Sequence, residues 1–278
     1  METIEDIVLR DGTRGMDILR TYLPENYITE AARAMLAKKK GHALIATGFY
    51  VSGAAETDGP PGAWALAKAL STLGYTPHIV TDSFCTGIFE DSGIPVIYAG
   101  MDLDREDCAN LLSRLSPSFL VSIERCGYNT EGYQGNSLGE NIDRWTAPLS
   151  LLFEEAQRWG YLTVGIGDGG NEIGMGKLKD MIREKLHLIP CRTSCDHLIT
   201  ATTSNWGAYG LCAALEKLSG TPCFVSSEEV GRFLALAADR GFINAGTHTP
   251  AFAVDGFPGN VGMKLIDDLH EAIKRQER

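Results

Sequence analysis

The chain has 278 residues, of which 44% are hydrophobic and 22% charged, as expected for a soluble globular protein with a substantial core. Its net charge of −11 argues against a nucleic-acid partner, because contacts to phosphates require clustered lysine and arginine side chains. No run of ~18 apolar residues occurs, so we expect no membrane-spanning helix.

Seven cysteines, an odd number, are scattered along the chain and predict buried, reduced thiols in a cytoplasmic protein. The N-terminus is acidic and lacks an apolar segment, so we expect neither a secretory signal nor a transit peptide. We predict a single α/β domain over residues 1–278, in which residues 1–40 form a helical lead-in.

Strand-like and helical segments alternate along the chain. Strands are predicted at residues 42–47, 77–82, 94–98, 119–123, 161–164 and 197–201. Helices are predicted at residues 30–40, 63–70, 84–91, 104–115, 148–159, 177–186, 208–218, 228–240 and 261–275. This alternation predicts a mostly parallel sheet covered by helices on both faces, which is a Rossmann-like three-layer α/β architecture.

The loop after the first predicted strand leads into a helix and contains Glu56, Thr57, Asp58, Gly59 and Gly62. A strand, a glycine-containing loop and a helix N-terminus together present free N–H groups and the positive end of the helix dipole. We expect these five residues to contact the substrate, and the alternative is an acidic loop that caps the helix. The loop matches neither a P-loop nor a dinucleotide-binding fingerprint.

Charged side chains also lie where two further strands end. Asp82 ends the second predicted strand, and Glu124 and Arg125 follow the fourth. The carboxyl ends of strands border the ligand crevice in open α/β sheets, so we expect all three near the substrate. Ordinary polar termination of a buried strand is the alternative, and it suits Asp82 best. The long loop at residues 127–142 has the length of a lid or binding loop.

The densest signal is a glycine-rich run at residues 165–177, directly after the fifth strand. Glycine loses more backbone freedom on folding than other residues, so such a run is expected where the backbone turns sharply or approaches a ligand. The run contributes the predicted active-site residues Asp168, Asn171 and Glu172, with Gly169 and Gly170 contacting the substrate.

Ser204 and Asn205 follow the last predicted strand of the sheet, where a helix begins. Serine and asparagine are common helix caps, which by itself explains much of this loop. Their place at a strand end nevertheless puts them beside the same crevice, so we also predict that they bind substrate.

The sequence also contains one candidate set of metal ligands and one candidate nucleophile. His187, Cys191, Cys195 and His197 match a structural zinc site poorly, because such sites more often combine a close cysteine pair with a distant second pair. Cys126, beside an arginine at a strand end, is expected to be a buried spectator rather than an activated thiol.

Carboxylates at strand ends form a stronger set, namely Asp82, Glu124, Asp168 and Glu172. Neighbouring carboxylates can act as acid and base, because like charges raise the pKa of one of them. They can also bind Mg²⁺ or Mn²⁺ through oxygen ligands. The sequence does not separate these uses: no cofactor is certain, and a divalent cation on Asp168, Glu172 and Glu124 stays open.

Several stretches are distinctive when they are taken together. They are residues 47–49, 56–63, 122–125, 204–207 and 255–256, and the run Gly-Asp-Gly-Gly-Asn-Glu-Ile-Gly-Met-Gly-Lys that ends at Lys177. In this combination the chain resembles the D-glutamate cyclase family from about residue 40 to its end. Mitochondrial relatives carry this domain within a longer chain, so the present chain resembles a stand-alone, bacterial-type member.

The resemblance implies that D-glutamate is cyclised to 5-oxo-D-proline with loss of water, a carbon–oxygen hydro-lyase activity. The reaction needs a base, an acid, a donor for the developing oxyanion and an anchor for the α-carboxylate. Our hypothesis takes Asp168 or Glu172 as the base, Glu124 as the acid, and Asn171 with glycine N–H groups as oxyanion donors. Either the helix start at residues 59–63 or Arg125 would hold a substrate carboxylate.

Two other classes of function remain open at this stage. A non-catalytic binding protein for an acidic amino acid would use the same crevice. An enzyme acting on a nucleotide or sugar phosphate is favoured by the glycine–proline loop but lacks a phosphate-binding fingerprint. Formation of a homo-oligomer is also left open.

Overall fold

The computed structural model describes residues 2–274. Its strands are β1 (His42–Thr47), β2 (Tyr50–Val51), β3 (Ala54–Ala55), β4 (Thr76–Thr81), β5 (Val96–Tyr98), β6 (Phe119–Ile123), β7 (Leu162–Gly167), β8 (His197–Thr200), β9 (Ile243–Asn244), β10 (Thr249–Pro250), β11 (Ala253–Val254) and β12 (Phe257–Pro258). Its α-helices are α1 (Ile4–Val8), α2 (Met16–Arg20), α3 (Tyr27–Leu36), α4 (Pro60–Thr72), α5 (Arg105–Leu115), α6 (Ser150–Arg158), α7 (Lys179–Met181), α8 (Ser204–Ser219), α9 (Ser227–Asp239) and α10 (Gly259–Lys274).

A six-stranded sheet in the order β5-β4-β1-β6-β7-β8 forms the centre of the molecule, and every neighbouring pair in it is parallel. Helices cover both faces, which confirms the predicted three-layer α/β fold. The other strands form three small antiparallel pairs outside this sheet. Over residues 2–274 the helices are all too short or too polar to cross a membrane.

The order of the strands contains a switch point between β1 and β6. From β1 the chain adds β4 and β5 on one side, and it then returns to add β6, β7 and β8 on the other. Connections that leave adjacent strands toward opposite faces open a crevice at the carboxyl ends of those strands. The loops after β1, β6, β7 and β8 therefore meet at one edge of the sheet.

Alternate residues of the central strands face opposite layers. Ala43 and Ile45 belong to a large apolar cluster with residues of α4 and α8, whereas Leu44 and Ala46 belong to a smaller cluster with residues of α5 and α6. Successive side chains of a strand point to opposite faces, so a strand covered on both sides reads as continuously apolar. This explains why β1 shows no polar alternation.

The lead-in is an integral part of the larger cluster. Ile7 and Val8 of α1 and Ile28 of α3 are fully buried, and both helices pack against α8. The backbone N–H of Thr202 donates to the carbonyl of Val8 at 2.9 Å, which ties α1 to the loop after β8. The sequence predicted only the third of the three short lead-in helices, because five-residue helices show too little periodicity.

Several predicted elements differ from the structure in extent or in type. Strand β7 continues to Gly167, three residues beyond its predicted end, and the segment 177–186 comprises the end of a 3₁₀ turn, Met175–Leu178, followed by α7 and a π-helical turn, Ile182–Leu186. The expected helix at 84–91 is replaced by two 3₁₀ turns, Ser83–Cys85 and Glu90–Ser92. The predicted end of the last helix at Arg275 lies outside the described residues.

Glycine explains how the run after β7 folds back on its own strand. A Cβ atom at Gly165 would lie 2.7 Å from the Cα of Gly174 and 2.8 Å from the carbonyl oxygen of Ile173. Both neighbours are backbone atoms that cannot rotate away. The close approach of the two segments therefore requires glycine at these positions.

Candidate active site

Three buried carboxylates meet at the switch point of the sheet. Asp58 comes from the loop before α4, Glu124 follows β6 and Asp168 follows β7. One carboxylate oxygen of each lies within 4.8 Å of the other two. We refer to Asp58, Glu124 and Asp168 as the acidic triad.

Asp168 is held by one oxygen only. Its Oδ2 accepts a hydrogen bond from Nη1 of Arg14 at 2.8 Å, whereas its Oδ1 has no hydrogen-bond partner among residues 2–274. The side chain is 1% exposed. Burial raises the pKa of Asp168 well above its ordinary value, the charge of Glu124 raises it further, and Arg14 opposes both.

Glu124 occupies a strained backbone conformation with φ of 45°, in the left-handed region that non-glycine residues seldom adopt. Its Oε2 accepts a hydrogen bond from the hydroxyl of Ser204 at 2.5 Å. Burial raises the pKa of Glu124 well above its ordinary value, and the charges of Glu172 and Glu56 add to this effect. Backbone strain together with a buried carboxyl group is typical of functional sites.

Asp58 caps α8. Its two carboxylate oxygens accept hydrogen bonds from the N–H groups of Ser204 at 2.8 Å and Asn205 at 2.7 Å. Burial raises the pKa of Asp58 to about 8, the charge of Asp255 contributes further, and the backbone hydrogen bonds oppose the rise. Two of the three triad carboxylates are thus attached to the N-terminus of α8, Asp58 through these N–H groups and Glu124 through the Ser204 hydroxyl.

Asn205 returns the contact by capping α4. Its Oδ1 accepts hydrogen bonds from the N–H groups of Gly59 at 3.0 Å and Gly62 at 2.8 Å, and its Nδ2 donates to the carbonyl of Thr57 at 3.0 Å. The helix start at residues 59–63 was expected to offer free N–H groups to a substrate carboxylate. In the structure the N–H groups of Gly59 and Gly62 donate to Asn205 instead. This observation favours the capping alternative.

Glu172 stabilises the glycine turn from within. Its carboxylate accepts hydrogen bonds from the N–H groups of Asp168 at 3.2 Å, Gly169 at 2.6 Å and Gly170 at 2.7 Å. The glycine N–H groups that were expected to stabilise an oxyanion therefore point at Glu172. This arrangement places Glu172 beneath the turn that presents Asp168, and outside the acidic triad.

Arg125 and Asp82 form a buried ion pair at 2.7 Å. The guanidinium of Arg125 also donates to the carbonyls of Gly48 and Ala147, each at 2.7 Å. These contacts link the loops after β1, β4 and β6. Arg125 was expected to bind a substrate carboxylate, but in the structure the carboxylate of Asp82 is its partner.

The remaining predicted site residues lie on the same loops as the triad residues. Glu56 is buried, and burial raises its pKa well above the ordinary value. The hydroxyl of Thr57 donates to the carbonyl of Ala253 at 2.7 Å. Asn171 donates to the carbonyl of Gly135 at 2.8 Å and lines, with Gly169, a cavity of about 200 Å³.

Two residues of the site were not predicted. Nη1 of Arg14, in the loop between α1 and α2, contacts both Asp168 and Oδ2 of Asp255, the latter at 3.0 Å. Asp255 lies in the turn between β11 and β12 with φ of 50°. The Asp-Gly pair at 255–256 already stood out in the sequence, whereas Arg14 stands in a short glycine-flanked stretch with no comparable signal.

Among residues 2–274 the acidic triad is the group of side chains that could hold a metal ion. His187, Cys191, Cys195 and His197 do not form such a group, in agreement with the weak spacing. The thiols of Cys191 and Cys195 instead contact backbone carbonyls, and all seven cysteines are free and buried. The predicted buried thiols are therefore confirmed.

The fold and the site together define a parallel α/β protein with a buried acidic centre at the switch point of its sheet. A family model described as D-glutamate cyclase-like, C-terminal, matches residues 4–270. The chain belongs to this family, which confirms the resemblance and extends it into the lead-in, where the sequence had placed its start near residue 40.

Similarity to individual proteins is more limited. Human mitochondrial D-glutamate cyclase is 35% identical in an alignment 198 residues long, which covers 62% of this chain and 32% of that relative. The chain thus spans about a third of the relative's length. The crystal structure of an exopolyphosphatase-related protein from Bacteroides fragilis covers 92% of this chain and 62% of its own, with 9% identity and a TM-score of 0.43, and implies nothing about activity.

Proposed function

We propose that the chain is a hydro-lyase that cyclises D-glutamate to 5-oxo-D-proline and water. The observation that carries the proposal is the buried acidic triad in a member of the D-glutamate cyclase-like family. The similar human protein is named for this reaction. Seven buried free thiols support a reducing compartment, so cytoplasm is the proposed location.

The acidic triad contains carboxyl groups that can accept and donate the protons transferred in this reaction. The α-amino nitrogen attacks the carbon of the γ-carboxyl group, a C–O bond of that group breaks, and two protons pass from nitrogen to the departing oxygen, which leaves as water. Asp168 has a free oxygen, Oδ1, to accept a proton from nitrogen. Glu124, oriented by Ser204, then donates to the departing oxygen, and acid–base help of this kind typically contributes ~10²–10⁴-fold to the rate.

The remaining predicted site residues receive supporting roles. Glu172 keeps Asp168 in position by accepting the N–H groups of the glycine turn. Asn171 uses one of its two amide N–H groups on Gly135, and we propose the other as the oxyanion donor. Asp58 holds the N-terminus of α8 against the reaction centre.

A divalent cation is the second use of the same oxygen atoms. Any such ion would be held by Asp58, Glu124 and Asp168, because their oxygens converge and carboxylates suit Mg²⁺ and Mn²⁺. Glu172, which the sequence suggested as a ligand, lies outside this group of converging oxygens and accepts the backbone N–H groups of the glycine turn. Bound at the triad, the ion would stabilise negative charge on the departing oxygen.

The decisive experiment incubates the chain with D- and L-glutamate, with and without EDTA, and detects 5-oxoproline on a chiral column. We expect product from D-glutamate. Asp168→Asn and Glu124→Gln should each lower turnover at least about 100-fold. Glu154→Gln is the matched control, since Glu154 pairs with Arg105 and Arg192 outside the triad.

The outcomes separate the candidate functions. Loss of activity with EDTA and its return with Mg²⁺ or Mn²⁺ would assign the triad to a metal ion. Binding of D-glutamate in a calorimeter without product would favour a binding protein instead. No product with the wild type, or near-normal turnover in both triad variants, would refute the proposal.

A further inference from the structure

The acidic centre poses a charge problem for an acidic substrate. Asp58, Glu124 and Asp168 form its triad, and Glu56 and Asp255 add their charges nearby. Such a centre attracts the ammonium group of glutamate but repels both of its carboxylates. A cationic side chain at the rim would relieve this repulsion, and Arg14 is in contact with the cluster.

We propose that Arg14 binds the α-carboxylate of the substrate and selects acidic amino acids that carry it; this inference rests on the proposed cyclisation. The γ-carboxyl must lie at the triad to react. The α-carboxylate is unchanged in the product and therefore needs a separate, non-reacting partner. Arg14 adjoins the triad through Asp168, so one substrate can reach both.

The guanidinium of Arg14 has donors available for this contact. Its two hydrogen bonds, to Asp168 and Asp255, both come from Nη1. Nε and Nη2 make no hydrogen bond with residues 2–274, and the side chain is 41% exposed. A guanidinium presents five N–H groups in a planar fork that matches a carboxylate, so it can hold the two acids and a third carboxylate together.

The segment that carries Arg14 is fixed in place. The hydroxyl of Thr202 donates to the carbonyl of Arg10 at 2.7 Å, which attaches the segment between α1 and α2 to the loop after β8. Met16 and Leu19 of α2 pack with Met175, just beyond the glycine turn. Arg14 is therefore positioned over the site before substrate arrives, which lowers the entropy lost on binding.

The competing explanation is that Arg14 has a purely structural role, because its ion pairs with Asp168 and Asp255 join the loop after β7 to the β11–β12 turn. The test compares D-glutamate with D-isoglutamine, whose α-carboxylate is replaced by an amide while the reacting amine and γ-carboxyl remain. For Arg14→Ala we expect KM for D-glutamate to rise at least tenfold with a smaller change in kcat. The KM for D-isoglutamine should agree within about twofold between the variant and the wild type, since the charge-assisted hydrogen bond to the α-carboxylate is lost only with D-glutamate, whereas loss of the contact with Asp168 should change kcat alike for both substrates.

Three further variants complete the test. Arg14→Lys should recover part of the affinity for D-glutamate. Asp255→Asn removes one ion pair of Arg14 but keeps its guanidinium. Any effect of this variant should therefore be the same for D-glutamate and for D-isoglutamine. Arg20→Ala, which removes an ion pair between α2 and Asp6 of α1, is the matched control. Its KM for both substrates should resemble that of the wild type.

Calorimetry with 5-oxo-D-proline and its amide supplies a readout that does not depend on turnover. Arg14→Ala should weaken binding of the acid at least tenfold and leave binding of the amide unchanged. Equal losses for acid and amide, or an unchanged KM, would overturn the role of Arg14 while wild-type turnover keeps the proposed function. A wild type that forms no 5-oxoproline would overturn both.

Discussion

At the scale of single residues, the site keeps carboxylates in surroundings that oppose their charge. Glu124 combines a left-handed backbone with a buried side chain, and burial followed by the charges of Glu172 and Glu56 raises its pKa. Each feature destabilises the folded state, the strained backbone alone by about 1–3 kcal/mol. The tight packing around Glu124 maintains this conformation, and we expect removal of the charge to stabilise the protein.

We predict that at pH 8 the Glu124→Gln variant has a free energy of unfolding about 1–2 kcal/mol larger than that of the wild type. It should therefore also unfold at a higher temperature. A carboxyl group whose folded pKa is raised destabilises the fold as pH rises from its unfolded value toward that folded value. Glutamine stays neutral and can still accept the Ser204 hydroxyl. The difference between variant and wild type should therefore shrink as pH falls toward about 4.3.

Thermal melts between pH 4.5 and pH 8 check this prediction. Glu154→Gln provides a control of opposite sign. Burial tends to raise the pKa of Glu154, but its hydrogen bonds and charge pairing with Arg105 and Arg192 outweigh burial and lower it. This variant should be less stable than the wild type at pH 8. A Glu124→Gln variant that is destabilised at pH 8, or whose effect does not vary with pH, would contradict the prediction.

At the scale of elements, two helix N-termini hold the site by exchanging caps. Asp58 precedes α4 and caps α8, while Asn205 lies in α8 and caps α4. The exchange satisfies N–H groups that both helices would otherwise leave unpaired. It also makes the position of Asp58, and of Ser204 beside Glu124, depend on the packing of α4 against α8.

We predict that Asn205→Ala loses at least about 2 kcal/mol of stability, because it leaves the N–H group of Gly62 and the carbonyl of Thr57 without a partner and Gly59 with only its hydrogen bond to Asp58. Activity should fall as well, since Asp58 and Ser204 lose their support. Chemical denaturation and the cyclisation assay provide the two measurements. Ser226→Ala, which removes the cap of α9, should lose about 1 kcal/mol and keep its activity. Equal activities in the two variants would disprove the coupling.

At the scale of the whole molecule, the lead-in completes both the core and the site. Ile7, Val8, Ile28 and Met35 are buried in the same cluster as α8, and Arg14 extends from this region to the triad. Burying one such side chain contributes about 1.5–3 kcal/mol. Four of them approach the ~5–15 kcal/mol by which a domain is stable.

We predict that a chain beginning at residue 40 loses its cooperative thermal transition, because α8 would expose the apolar face that α1 and α3 cover. Circular dichroism melts of the full and the shortened chain test this directly. The Arg14→Ala chain is the matched control for the loss of a site residue without the loss of packing, and it should keep its transition. A shortened chain that melts at the full-length temperature would show that the lead-in is peripheral.

Local patterns in the sequence determined the class of fold and the list of candidate residues. Alternating apolar segments specified a parallel α/β sheet, since periodicity and burial on both faces are properties of short stretches. Strand ends marked Glu124 and Asp168, and the glycine run marked a sharp turn, because each signal lies within a few residues. Asp58 was found in the same way, as an acidic residue before a helix.

Only the tertiary structure decided which of these residues meet and what each one contacts. Arg14 and Asp168 are 154 residues apart, so no local pattern could pair them. Arg125 was predicted to anchor the substrate and Glu172 was a candidate base, but in the structure Arg125 pairs with Asp82 and Glu172 accepts backbone N–H groups. The physical reason is that a charged side chain takes its role from the partner that folding brings to it. That partner depends on strand order and helix packing, whereas the strand itself depends on its own few residues.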